Sequence, residues 1–287
     1  ALVLGAAAKT KGTGVKVEEK SLSLKQVVAL HPLLAVTAVL AMSMLATKQE
    51  PPPKPVDAVP VEKRSDFNRV AVLAVVLSGI SGMVNAVAII TMGGTVAHHT
   101  GNASHAGRLS GVDGARFAVL MLAYFLGAAV TGFRKSSGEN PLVGKASPAL
   151  LGSAIAVAGG ALIHWASGNS LAALPVLAFS QGIHNGVTSK FSSMPLRTTH
   201  MTGTLTDTGA ACGAWLRSKF YSDAQTMPAE KLTLLLATLD AFFVGGVLAK
   251  MACDRMGSLA ALLPAAVLAV LALGVVPCGP AAEGKKA

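Results

Sequence analysis

Charge is scarce in this chain. Asp, Glu, Lys and Arg make up 13% of its 287 residues, roughly half the share of an ordinary soluble domain, which excludes a water-borne globule of this size. Aromatic residues are equally thin at 5%, so the net charge of +10 has no aromatic-interleaved basic face to go with it and is not read as a nucleic-acid surface. Cysteine is limited to Cys212, Cys253 and Cys278, an odd number without metal-ligand spacing, which excludes a disulfide framework and a zinc site. No phosphate loop, dinucleotide fingerprint, Ser-His-Asp order or Cys-His arrangement stands in suitable context, so catalysis is not expected.

What the chain has is apolar length. It is 52% hydrophobic with mean hydropathy +0.57, and it carries 30 glycines, the composition of closely packed transmembrane helices whose small residues let backbones approach. The basic residues sit mainly in tails and loops, where they set topology and meet headgroups. The chain starts at Ala1 with a Lys-rich stretch unlike a secretory signal, which is read as a processed or truncated product, as removal of an organellar targeting peptide would leave.

The expected organisation is a polar basic tail over 1–25, a hydrophobic helix over 26–46, a Pro-rich linker over 47–68 containing Pro51-Pro52-Pro53, a membrane domain over 69–276 and a basic tail over 277–287. The domain reads as six spans: Val70 to Met92, Arg116 to Phe133, Pro148 to Trp165, Leu171 to Val187, Leu232 to Cys253 and Leu259 to Val276. Two semi-polar stretches, Thr95 to Ser110 and Thr202 to Trp215, are too polar for lipid and too apolar for loops. They are expected to be half-helices or helix starts buried in protein.

A short segment occurs twice. Gly82-Met83-Val84-Asn85, followed by His98-His99-Thr100-Gly101-Asn102, returns as Gly182-Ile183-His184-Asn185, followed by His200-Met201-Thr202-Gly203-Thr204. Tyr124-Phe125-Leu126-Gly127 is echoed by Phe242-Phe243-Val244-Gly245. The copies define repeats over 69–166 and 171–276. Three spans per repeat is odd, so the expected fold is an all-α integral membrane protein of two inverted repeats, with the basic side facing inward.

The candidate ligand residues follow from the repeat: Asn85, Thr100, Gly101, Asn102, Asn185, Thr202, Gly203 and Thr204, with Asp240 as the acid nearest the middle of a span. The two amides can bind a ligand, each other or freed backbone, and the Thr-Gly motifs read equally as anion sites or as helix caps. Asp240 reads as functional or as a structurally paired carboxyl. His98, His99, His105 and His200 gather around the motif without the spacing of a metal site. His31, His164 and His184 lie in apolar runs, where each is a structural donor or an axial ligand to a chlorophyll magnesium.

These motifs, Gly-x-x-Asn with Thr-Gly-Asn and Gln181-Gly182-x-x-Asn185 with Thr199-x-Met201-Thr202-Gly203-Thr204, resemble the YoaK-like family of uncharacterised membrane proteins over about residues 65 to 276. The resemblance implies a six-span domain and brings no substrate. It also implies an acidic residue where Asn85 stands; asparagine hydrogen-bonds but does not titrate, which weakens ion-coupled transport as an expectation.

Two functions are therefore carried forward. One is a non-catalytic accessory subunit of an organellar membrane complex of photosystem or respiratory type, in a thylakoid or mitochondrial inner membrane, with lipids and other subunits as partners; no cofactor is certain, and chlorophyll or lipid is expected only for a photosystem subunit. The alternative is a small-solute transporter or channel with its site between the repeats.

Overall fold

The computed structural model describes residues 64–109, 111–133, 147–191, 198–221 and 229–274, which are mainly helical with no strand among them. The hydrophobic run over 26–46, with His31, residues 47–63 of the expected Pro-rich linker and both tails lie outside the described residues, while residues 64–68 of that linker are helical.

Helix α1 spans Arg64–Val87 and continues into a π-helical turn, Ala88–Met92, which stops at Gly93 in the left-handed conformation that glycine adopts without strain. A short helix α2, His99–Arg108, precedes α3, Gly111–Phe133. Helix α4 is Pro148–Ser167: the Ser147 hydroxyl accepts from the Leu150 N–H, and Pro148 occupies the first turn, where a missing N–H costs nothing. After it come α5, Ser170–Phe191, and α6, Met201–Phe220. The long α7, Ala229–Met256, bends at Gly257 (φ 56°) through a 3-10 turn, Gly257–Ala261, into α8, Leu262–Ala272.

The expected spans are all helical where described, and the ends differ. Helix α3 starts at Gly111, before Arg116, with Asp113 in its first turn, where a carboxylate suits the helix dipole. The semi-polar stretches are the helices α2 and α6. Among the described residues, four helical stretches are long and apolar enough to cross a membrane: Ala71–Met92, Gly111–Phe133, Pro148–Ser167 and the bent Lys231–Ala272.

Helix α1 packs mainly on α7, α3 mainly on α5, and α4 lies between α5 and α8. The first two pairings depend on glycine. A Cβ added to Gly82 would overlap the Phe242 carbonyl, and one on Gly245 would overlap that of Gly79. On the other pair, Gly182 abuts the Tyr124 carbonyl and Gly127 that of Phe179. The repeated segments thus pack crosswise, each copy's first element on the other copy's second, at a backbone separation that only a missing side chain permits. Ser78 donates to the Thr238 carbonyl at 2.8 Å while Met83 lies beside Gly245, so α1 and α7 run in the same sense. Ser153 with Ser180 at 2.7 Å, and Gly160 with Ala173 and Leu177, make α4 and α5 antiparallel. The start of α4 meets the end of α8 where the Ser147 N–H donates to the Ala272 carbonyl at 2.7 Å.

The core, with Leu77, Val84, Val157, Leu177 and Leu268 fully enclosed, runs between these helices. Outward faces carry Phe125, Val130, Ile155, Leu162, Leu248 and Val270, the surface a hydrocarbon solvent accepts.

Candidate functional site

The repeated asparagines perform the same task twice. Asn85 Oδ1 accepts the backbone N–H groups of Val96 and Ala97, each at 3.0 Å, and Asn185 Oδ1 accepts the N–H of Thr199 at 3.1 Å. Those N–H groups lie just before α2 and α6, where a chain turning back toward the core has unpaired donors. Asn85 is seven residues short of Met92, about 10 Å along the helix, so the chain beyond the π turn descends to that depth before α2 begins. The helix starts match in detail: His98 (φ −103°, ψ 68°) and His200 (φ −93°, ψ 63°) adopt one conformation, and each imidazole covers the glycine three residues on, Gly101 or Gly203.

The other motif residues are also engaged locally. The buried Asn102 donates to the Thr95 carbonyl at 3.2 Å and receives the Thr95 hydroxyl at 3.1 Å. Thr204 donates to the His200 carbonyl at 3.1 Å. Thr100 and Thr202 are exposed, and their carbonyls receive Ser104 and Thr206 at 3.0 Å. Asn85 and Asn185 do not hydrogen-bond to each other. Asp240 lies about 200° around α7 from Phe242, away from α1, with Oδ1 buried and unpartnered in the protein.

Tyr124 is a site residue that sequence reasoning passed over. Its hydroxyl receives Asn185 Nδ2 and stands 3.2 Å from the Thr199 hydroxyl, while its ring packs at 4.1 Å on that of His99. One side chain thereby joins α2, α3, α5 and the start of α6. The signal was present in the echo itself, where Tyr124 is matched by Phe242 and differs by this hydroxyl.

A polar stripe occupies one buried face of α5: Gln181, His184, Asn185 and Thr188. One hundred residues earlier α1 has Ser81, Val84 and Asn85, and the π turn has Ala88. Ser81 Oγ meets His184 Nδ1 at 3.1 Å across the α1–α5 crossing. Gln181 was quoted above as part of a motif and not as a site; its two amide atoms, His184 Nε2 and the Thr198 hydroxyl are buried without a protein partner. Each such group costs on the order of 1–3 kcal/mol in an apolar interior. His184 has no accessible surface, which leaves no approach for a chlorophyll ring; His164, near the end of α4, is half-buried.

Two cavities lie elsewhere. An apolar groove of about 650 Å³ opens between α1, α7 and α8, and a space of about 340 Å³ between the π turn, α3 and the start of α5. Neither is lined by Asn85, Asn185 or Asp240.

The family comparison bears on this constellation directly. Residues 73–274 match the family described as protein of unknown function DUF1275. The chain belongs to DUF1275. The match takes in both asparagines, the starts of α2 and α6 and the crosswise glycines, and leaves out the hydrophobic run over 26–46. No curated protein and no solved structure matches the chain. DUF1275 membership assigns this domain no activity.

Proposed function

We propose that the chain is a YoaK-like DUF1275 protein of six spans in two inverted repeats, which moves a small solute across an organellar inner membrane without catalysis. The observation that carries this reading is the pair of asparagine-pinned helix starts, since discontinuous helices beginning inside the core are the elements that line solute paths between repeats. Packing supports the span count. The bent Lys231–Ala272 stretch has 42 residues, about 63 Å of helix or twice a hydrocarbon core, so it is long enough for two crossings. Helix α5, with 22 residues, is long enough for another, its hydropathy lowered by the buried polar stripe. The same-sense pairing of α1 with α7 and the antiparallel α4 and α5 are what six alternating spans require. Reconstituted vesicles that pass solutes no faster than empty vesicles would contradict the reading; flux above that background supports it.

The outward faces of α2 and α6 favour a second reading. Thr100, Ser104, Thr202, Thr206 and Asp207 are exposed, and a bilayer accommodates them poorly. A neighbouring subunit would cover them, as expected of an accessory component of a photosystem or respiratory assembly, with His164 the more accessible position for a chlorophyll. Mild solubilisation and native electrophoresis separate the readings: comigration with other membrane subunits supports the second, and a lone monomer contradicts it.

A further inference from the structure

The crossing of α1 and α5 encloses polar groups that the protein itself does not satisfy. Gln181 has no accessible surface, and neither its amide nitrogen nor its amide oxygen meets a hydrogen-bonding group. His184, three residues on and on the same face, gives Nδ1 to the Ser81 contact at 3.1 Å and leaves Nε2 unpartnered. Thr198 is fully enclosed with its hydroxyl unpartnered, and Ser78 reaches its carbonyl at 3.4 Å. Asn185 binds the N–H of Thr199, so residue 198 is held against this same face of α5.

We propose that Gln181, His184 and Thr198, with Ser81, form a binding site for a small uncharged solute that both donates and accepts hydrogen bonds, water being the smallest of the class. The proposal rests on the solute-moving reading above and gives it a site and a substrate class. Chemistry sets the class. The amide offers two donors and an acceptor, the hydroxyls act either way, and imidazole Nε2 donates or accepts according to its tautomer. An ion would lose its hydration and meet no counter-charge here, since Asp240 lies on the side of α7 away from α1. An apolar molecule would leave every one of these groups unpartnered.

Comparison of the two halves adds an independent argument. The positions of α1 and its following loop that correspond to Gln181, His184 and Thr198 are Ser81, Val84 and Val96, and both valines are fully buried. The first half builds its helix start with apolar side chains at two of these three positions. The polar set in the second half is therefore not a requirement of the scaffold.

The full chain, reconstituted in phosphatidylcholine vesicles, tests this by light scattering under osmotic gradients, with water, urea and glycerol as neutral probes and potassium nitrate as the ionic one. The wild type is expected to exceed empty vesicles for at least one neutral probe, and urea or glycerol flux beside water shows that the site takes solutes larger than water. Gln181→Leu is expected to lower that flux at least tenfold while raising the midpoint of thermal unfolding, because leucine fills the space without unmet hydrogen bonds. Thr198→Val, nearly isosteric, is expected to lower it in the same direction and serves if the first variant does not fold. Flux unchanged in a folded variant overturns the site. Potassium nitrate carried while neutral probes are not overturns the site and leaves solute movement standing; no flux of any probe removes both.

Discussion

Asn85 and Asn185 were candidate ligand residues, and their geometry makes them anchors of backbone. An acceptor is what the position needs, so Asn85→Asp retains the two bonds from Val96 and Ala97. Asn85→Leu removes the acceptor and strands two N–H groups, at a cost of about 2–4 kcal/mol. Thermal unfolding in detergent should show Asn85→Asp close to wild type and Asn85→Leu well below it; equal midpoints for the two would contradict the anchoring role. Tyr124→Phe tests the other anchor. It keeps the ring on His99 and loses the hydroxyl shared by Asn185 and Thr199, so a drop of about 1 kcal/mol is expected from denaturant titration. The sequence displayed the asparagines because they recur at one spacing. It did not display that Gln181 and His184 lack partners, since a deficit of hydrogen bonds depends on which helices enclose a residue and not on its neighbours in the chain.

Among the elements, the four stretches long and apolar enough to cross a membrane were legible because about 20 apolar residues bounded by polar ones fit the bilayer. The helices α2 and α6 were legible as helix starts from their mixed composition, but α6, with 20 residues, is longer than a half-helix. Which helix packs on which was not: Gly82 and Phe242 are 160 residues apart, and only the fold reveals that the echoing segments meet crosswise. The glycines therefore divide into two classes. Alanine at Gly82, Gly127, Gly182 or Gly245 drives a Cβ into backbone carbonyl and should lower the yield of folded protein or the unfolding midpoint sharply. Alanine at Gly132 or Gly159, which have nothing within 4 Å, should leave stability unchanged or raise it by up to about 1 kcal/mol. Gel filtration and thermal unfolding of the two sets check this, and equal tolerance would contradict backbone-limited packing. The π turn at Ala88–Met92 had no sequence signal that we can name; it places Gly93 where the chain turns back toward Asn85.

For the whole molecule, the account stands on the two halves having opposite orientations. The proposed solute movement depends on that arrangement. The chain leaves α2 at Leu109 and α6 at Tyr221, and inverted repeats place these ends on opposite sides of the membrane. The most direct measurement is side-specific thiol labelling in sealed vesicles. Leu109→Cys and Tyr221→Cys are introduced singly into a chain whose Cys212, Cys253 and Cys278 are replaced by serine. An impermeant maleimide is expected to label one position only from outside the vesicle and the other only after the interior is opened. Labelling of both from the same side would contradict the inverted architecture.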